Sequence, residues 1–244
     1  MSRRLRLVVF GLGVSGIGVV FVLAALLIPR FGGGDHPYRD LAVPAAVARS
    51  APNVVSALNF DQRALDTLGE ETILLASVVG AAALLRPTTS EHERSIVAED
   101  RILSATTLLG YLLLPVTLLV GLDVVAHGHL TPGGGFQGGV VLATGLHLLY
   151  VAGSYSTLVR LRPLTWYGIA EALGAGAFAV LGVSGLVAAG GFLVNMLPYG
   201  RFGDLFSAGT VPLLNLAVGC EVASGVIVLL AQFLAQALTV RATR

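Results

Sequence analysis

Three acidic residues stand at the start of an apolar stretch, where ionisable side chains are costly and are usually kept for a function. Asp66, Glu70 and Glu71 lie within the sequence LDTLGEE that begins at Leu65. Asp66 and Glu70 are four residues apart, so a helix places both carboxylates on one face, about 6 Å apart along its axis. Like charges this close share a proton or a cation, which indicates an ion site. The alternative is an acidic first turn that complements the helix dipole close to water.

A fourth acid, Glu221, lies deep inside another apolar stretch. It follows the start of that stretch at Val211 by ten residues, which is about 15 Å along a helix. A carboxyl group at that depth can take up and release a proton. The alternative is a structural glutamic acid that is protonated or paired with an arginine at a subunit contact. Asn215, earlier in the same stretch, is typical of hydrogen bonding between helices.

Two further ionisable residues leave alternatives open. His147 falls in the middle of an apolar stretch, where it could relay protons or simply be a packed histidine with satisfied nitrogens. Glu171 lies near Arg160 and Arg162 in the sequence, so an ion pair and a role in an ion pathway are both compatible with its position.

The glycine-rich segment from Gly128 to Gly139 reads GHLTPGGGFQGG. No Gly-Lys-Ser/Thr follows it, so it is not a phosphate-binding loop. Pro132 with Gly133, Gly134 and Gly135 predicts a tight turn that leads into a helix, and the glycines at 135 and 139 allow a neighbouring helix to approach closely. Asp123, His127 and His129 nearby do not form a metal-binding signature, and the single cysteine, Cys220, excludes a disulfide within the chain. We therefore expect neither a metal nor another cofactor.

The elements that position these residues are membrane helices. The chain has 244 residues, 55% of them hydrophobic and 12% charged, with a mean hydropathy of +0.83. So few charges cannot coat a soluble globule of this size, which excludes a soluble enzyme. The scattered arginines give no footprint for nucleic acid. Six apolar segments predict about six transmembrane helices in an all-α, polytopic membrane protein: Leu7–Ile28, Leu65–Leu85, Ile102–Leu122, Phe136–Thr157, Trp166–Ala189 and Val211–Leu238.

The arginines predict the orientation of the chain in the bilayer. With the N-terminus inside, ten arginines fall in cytoplasmic segments and five in outer segments, which favours an N-in/C-in topology. The first apolar segment follows Arg3, Arg4 and Arg6 and lacks a clear cleavage site, so we interpret it as a retained signal-anchor helix. The charged segment Arg86–Arg101 is predicted to be a solvated cytoplasmic loop.

Two parts of the sequence resemble a known family of membrane complexes. The segment HLTPGGGFQGG from His129, and NLAVGCEV from Asn215, are similar to the MnhB family, the B subunit of Mrp-type multisubunit cation/proton antiporters. That resemblance covers about residues 102–237. The earlier NVVSALNFDQRALDTLGE, from Asn53 to Glu70, resembles the hydrogenase-subunit-E-type (MbhE-like) domain, although its LNFDQR replaces the usual order of residues in the loop. The domains expected are therefore 1–100, with signal-anchor helix, outer loop and MbhE-like helix, and 101–244, an MnhB-like four-helix membrane domain.

The resemblance implies a function in ion transport rather than catalysis. It implies a multi-pass subunit of a hetero-oligomeric Mrp-type antiporter in the bacterial plasma membrane, exchanging Na⁺ or another monovalent cation for H⁺. The residues expected in the ion pathway are Asp66, Thr67, Glu70, His147 and Glu221, and those of the helix-packing motif are Pro132, Gly133, Gly134, Gly135, Gly138 and Gly139. Two alternatives remain: a structural scaffold of that complex, or a membrane subunit of a related membrane-bound hydrogenase or redox complex.

Overall fold

The computed structural model describes residues 3–28, 34, 36–85, 103–152, 160–161 and 163–242, without the side chains of Val151 and of residues 234–242. These residues form helices and no strand, which confirms the all-α fold. The elements in chain order are α1 (Arg3–Leu27), α2 (Pro37–Ala48), α3 (Val54–Ala57), a π-helical turn (Leu58–Gln62), α4 (Ala64–Leu84), α5 (Ser104–Ala126), α6 (Gly135–Val151), α7 (Leu164–Ala189) and α8 (Val211–Ala242).

A helix occupies the position of every predicted membrane segment. Five of them, α1, α4, α5, α7 and α8, are long and apolar enough to cross a bilayer. α6 has 17 residues, or about 26 Å of helix, and the rest of its predicted segment, residues 153–157, lies outside the described residues. Arg86–Arg101 also lies outside them. A polytopic membrane protein is confirmed, whereas the number of spans and the N-in/C-in orientation stay predictions.

The chain divides into two compact units, Met1–Asp40 and Leu41–Arg244. The first contains α1, a helix none of whose residues is buried, as expected of a single apolar helix that meets lipid or another protein. The second contains α4 to α8 with the short α3, and the functional residues named above all belong to it. The predicted boundary at residue 100 falls in the undescribed segment and stays a prediction.

Helix α8 lies at the centre of the second unit, packed against α4, α5, α6 and α7. Small residues on α8 allow this close packing. A Cβ on Gly219, for example, would lie only 2.8 Å from Val125 Cγ1 on α5, too close for a larger residue. The central position buries polar side chains as well as apolar ones: Asn215 and Glu221 have no exposed surface. The helix that carries Glu221 is therefore the one most enclosed by protein.

The glycine motif places α6 directly against α8. A Cβ on Gly139 would lie 2.8 Å from Val222 Cβ and 3.0 Å from Gly219 O, and a Cβ on Gly135 would overlap the carbonyl oxygen of Asn215. Only glycine permits backbones this close. Gly133 and Gly134 have φ of +150° and +142°, a region that side-chain-bearing residues rarely adopt, and they make the turn before α6.

Hydrogen bonds fasten this turn to its neighbours. Asn215 accepts from the backbone N–H of Gly135 through Oδ1 at 2.8 Å, and its Nδ2 donates to Ser56 Oγ at 3.1 Å. Asn53, the N-cap of α3, donates through Nδ2 to the carbonyls of Gly128 at 2.7 Å and Thr131 at 2.8 Å. The segment from Asn53 to Glu70 therefore meets the glycine motif and Asn215 in one hydrogen-bonded structure.

Candidate functional site

The first turns of α4 separate the three acids found at its start. Asp66 pairs with Arg63, and its side chain is 54% exposed, while Glu70 is exposed on the same side of the helix. Glu71 is 2% exposed and belongs to the buried stripe of Ala64, Thr67, Glu71 and Val78. Asp66 and Glu70 thus share a face that points away from this chain's core, and Glu71 points into it.

Thr67 connects α4 to the π-helical turn. Its hydroxyl donates to the carbonyl of Asn59 at 2.7 Å, and the side chain is buried. This bond ties the first turn of α4 to the π-helical turn that precedes it. Thr67 therefore fixes the angle at which the first turn of α4 meets the preceding segment.

A cavity of about 190 Å³ lies beside this turn, between α3, α4, α8 and the glycine motif. Its polar lining combines Thr67, Glu70 and Glu71 with Ser56, Asn59 and Gln137 and with the backbone of Gly133–Gly135. Two expected groups, the pathway residues of α4 and the glycine turn, are thus brought together around one polar space. At about 30 Å³ per molecule the cavity has room for about six waters.

Three carboxyl groups are buried where α4, α7 and α8 meet: Glu71 at 2%, Glu171 at 4% and Glu221 at 0% exposure. Both carboxyl oxygens of Glu221 lack a hydrogen-bond partner within the described part of the chain, as do Oε2 of Glu71 and Oε1 of Glu171. Glu221 interacts electrostatically with Glu71 on one side and with Glu171 on the other. The three therefore form a row with Glu221 in the middle.

No positive charge offsets this row within the part of the chain that the structure describes. None of the ion pairs found there involves Glu71, Glu171 or Glu221. Arg160 is exposed, and Arg162 lies outside the described residues. Leaving three bare carboxylates in a low-dielectric interior would cost several kcal/mol for each charge, so we expect each group to be protonated, to bind a cation or to pair with a positive charge outside the described residues.

His147 lies apart from the polar cavity. It is half-buried on α6 and does not line the cavity beside Thr67. Next to it on α6, Ala143, Leu146 and Leu149 form an apolar cluster with Ile227 of α8. The structure thus brings Thr67 and Glu70 together, places Glu221 deeper in the same helix bundle, and leaves His147 on a neighbouring helix.

The turn between α5 and α6 holds two histidines. His127 Nδ1 lies 2.8 Å from a carboxylate oxygen of Asp123. His129 is fully buried, and burial lowers its pKa, although the backbone of Leu205 and Asp204 acts in the opposite direction. Among the described residues no group of three or more His, Cys, Asp or Glu is placed to hold a metal ion.

Sequence reasoning does not select two of the three buried acids as pathway residues. The local pattern assigns Glu71 no direction, although Ala64, Thr67 and Glu71 follow the three- and four-residue spacing of one helix face. For Glu171 an ion pair and a pathway role are equally compatible with the sequence. Its burial depends on Gly225 of α8, where a Cβ would lie 3.0 Å from Glu171 Oε1, and no local pattern reveals that contact.

Fold and site together define a polytopic, all-helical membrane protein whose interhelical core contains ionisable side chains without counter-charges among the described residues. Residues 105–228 match the family described as a domain related to the MnhB subunit of Na⁺/H⁺ antiporters. Because this match spans half of the sequence, the chain belongs to the MnhB family.

Individual proteins are also similar to the chain. An uncharacterized protein of Methanocaldococcus jannaschii is 34% identical over 200 residues, which cover 71% of this chain and 74% of the relative. A probable A/B subunit of a K⁺/H⁺ antiporter from Rhizobium meliloti is 29% identical over 198 residues, 68% of this chain but 19% of that longer protein.

Two solved structures are also similar. A chain of the membrane-bound sulfane sulfur reductase, an archaeal respiratory membrane complex, superposes with a TM-score of 0.73 and 28% identity, covering 94% of this chain and 98% of that one. A chain of the Mrp complex from Dietzia sp. DQ12-45-1b superposes with a TM-score of 0.67 and 24% identity, covering 95% of this chain and 26% of that one. The second likeness shows the shared fold.

Proposed function

We propose that the chain is a membrane subunit of a multisubunit Mrp-type cation/proton antiporter in the bacterial plasma membrane, and that its acidic residues contribute to the ion path. The family match over residues 105–228 and the similarity to a probable K⁺/H⁺ antiporter protein support this function. The observation that carries the pathway role is Glu221, fully buried on the central helix with both carboxyl oxygens unpartnered among the described residues.

The other expected pathway residues take distinct places in this proposal. Thr67 and Glu70 line the polar cavity at the start of α4, where an ion or proton enters. Asp66 and Glu70 expose their carboxylates on the face away from the chain's own core, so another subunit of the complex completes the path there. His147 contributes from α6 as a proton-exchanging group next to α8. The transported species are H⁺ and Na⁺ or another monovalent cation, and the chain is not itself an enzyme.

A second candidate is a membrane subunit of a redox-driven complex. The observation that favours it is the likeness to the sulfane sulfur reductase chain, which is matched over nearly its whole length. In that case the same buried acids move protons, but electron transfer in partner subunits drives them. A third candidate is a scaffold, favoured by the close packing of the glycine motif against α8.

Purification of the intact complex through a tag on this chain separates these candidates. Identification of the co-purified subunits, with an assay of their metal clusters, distinguishes an antiporter from a redox complex. Cation-induced proton movement is then measured in everted vesicles for Glu70→Ala and Glu221→Ala, with Asp204→Ala, a change of an exposed acid, as the control. We expect full assembly and loss of exchange in the first two variants only. Unchanged exchange in both would contradict the pathway role and leave the scaffold.

A further inference from the structure

The three buried carboxyl groups lie at successive depths in the helix bundle. Glu71 follows the start of α4 by seven residues and Glu221 follows the start of α8 by ten, about 10 Å and 15 Å along the helix axes. Val78 of α4 and Gly225 of α8 are neighbours, since a Cβ on Gly225 would lie 3.3 Å from Val78 Cγ2. Both are fourteen residues into their helices, so α4 and α8 are level at this contact. Glu71 and Glu221, which interact with each other, both precede it, so the two helices run in the same direction and depths along them can be compared.

Glu171 takes the third and deepest position. It belongs to α7, but Glu171 Oε1 lies against Gly225, which is about 21 Å from the start of α8. The depths of the three groups are therefore about 10, 15 and 21 Å, in steps of about 5–6 Å. The uppermost group, Glu71, lines the polar cavity beside Thr67.

We propose that Glu71, Glu221 and Glu171 form a proton relay that leads from the cavity at the start of α4 to the contact between α7 and Gly225. The proposal rests on the transport function proposed above and names the species that this part of the chain carries. Because the carboxyl oxygens are not hydrogen-bonded to one another, each step passes through a water molecule that enters from the cavity. The protonated carboxyl breaks its O–H bond and gives its proton to this water, and the water gives one of its own protons to the neighbouring carboxylate, where a new O–H bond forms. One negative charge moves in the opposite direction, so the net charge of the row is unchanged.

The surroundings of the row favour a proton over a metal cation. A bare cation needs several oxygen ligands around one point, yet the described acidic and histidine side chains form no group of three that could hold a metal ion. The carboxyls are instead spread along the helices, with Val218 and Val222 buried on either side of Glu221. A protonated carboxyl is neutral and tolerates such neighbours, whereas a carboxylate without a partner does not.

Two glycines provide the space that the row requires. A Cβ on Gly225 would lie 3.0 Å from Glu171 Oε1, and a Cβ on Gly174 would lie 2.8 Å from Glu221 Cβ. α7 and α8 therefore approach each other closely where their acids lie. Glycine at these positions lets two carboxyl groups from different helices approach each other at neighbouring depths of the bundle.

The relay is tested in the purified complex by infrared spectroscopy of protonated carboxyl groups, combined with transport measurements. Difference spectra between the wild type and Glu71→Gln, Glu171→Gln or Glu221→Gln should show a lost carboxylic-acid band in at least two of the three variants, because one group of the row is the carboxylate that accepts the proton. These bands should persist in the wild type as NaCl is raised. Asp204→Asn, a change of an exposed acid, is the matched control and should remove none. In vesicles, each Gln variant should slow cation-driven proton movement by about tenfold or more, while Glu221→Asp, which keeps an acid, should retain part of it.

The possible results separate the relay from the broader function. If the band disappears in the wild type as NaCl is titrated in, while the Gln variants abolish exchange, the row binds the cation and the relay is wrong, but the transport function stands. If Glu221→Gln retains as much transport as Glu221→Asp, the carboxyl groups are structural, and both the relay and the pathway role are wrong. If a Gln variant fails to assemble, Gly225→Ala replaces it. That change makes the Glu171 carboxyl shift by a few tenths of an ångström without removing an acid. Slower exchange with a shifted carboxylic-acid band would support the relay, and an unaltered rate with an unshifted band would contradict it.

Discussion

Gly139→Ala tests the close approach of α6 and α8, which holds the glycine motif against the helix that carries Glu221. The new methyl group would lie 2.8 Å from Val222 Cβ and 3.0 Å from Ala223 N and Gly219 O. Carbon atoms in contact are normally about 3.5–4.0 Å apart, so the helices must separate by close to 1 Å. Because the obstructing atoms belong to the backbone and to a Cβ, no side-chain rotation relieves the overlap.

The cost follows from this overlap. Overpacking a well-filled core costs about 1–3 kcal/mol, and here the upper half of that range applies because two helix backbones must move. A loss of about 2–3 kcal/mol corresponds to a fall in Tm of about 4–12 °C for a chain of this size. Gly176→Ala is the control, since nothing lies within 4 Å of a Cβ at that position of α7, and it should leave Tm unchanged or slightly raised.

The assay is thermal unfolding of the purified protein in one detergent, followed by circular dichroism. We expect Gly139→Ala to unfold well below the wild type and Gly176→Ala to unfold at or above it. Equal Tm values for the two variants would refute the close packing of α6 on α8.

Three further predictions concern single residues of the same unit. Asn215→Leu removes the hydrogen bonds to Gly135 and Ser56 and should destabilise the protein by about 1–3 kcal/mol in the same unfolding assay, and an unchanged Tm would contradict those bonds. Arg49→Met leaves the buried carboxylate of Asp61 without its partner at 2.7 Å. The free energy of unfolding should fall by about 1–3 kcal/mol, a moderate loss because Arg49 is partly exposed. A second change, Asp61→Leu, should restore stability if the unpaired carboxylate is the cause. Burial lowers the pKa of His129 in the folded protein. The neutral imidazole therefore stabilises the fold above the unfolded pKa of about 6.5, and this stabilisation is lost as pH falls towards the folded pKa. His129→Gln should flatten the dependence of Tm on pH between about 5 and 7.

Local patterns are sufficient to predict the helices and the position of the glycine turn. Long apolar runs predict α4, α5, α7 and α8 because a bilayer requires helices about 20 residues long. The four-residue spacing of Asp66 and Glu70 correctly places them on one face of α4. These features depend only on residues close together in the chain.

Tertiary packing determines which acids are buried and which distant segments are in contact, and local sequence patterns do not reveal either. Neighbouring helical residues point about 100° apart, so Glu70 and Glu71 differ in exposure although both line the polar cavity. Only the contact of α4 with α8 determines which of them is buried. Glu171 is buried because Gly225, 54 residues later, leaves room for its carboxyl. Asn53 holds the glycine turn from 75 residues away, a partnership that neither segment reveals alone.

The most direct test of the transport role is the initial rate of Na⁺-induced proton movement in everted vesicles, per assembled complex, for Glu221→Gln and Glu221→Asp. A pathway through Glu221 predicts that Gln, which has nearly the same size but cannot carry a proton, abolishes exchange at normal assembly, whereas Asp retains part of it. Wild-type rates in Glu221→Gln would contradict a role for this buried carboxyl in ion movement.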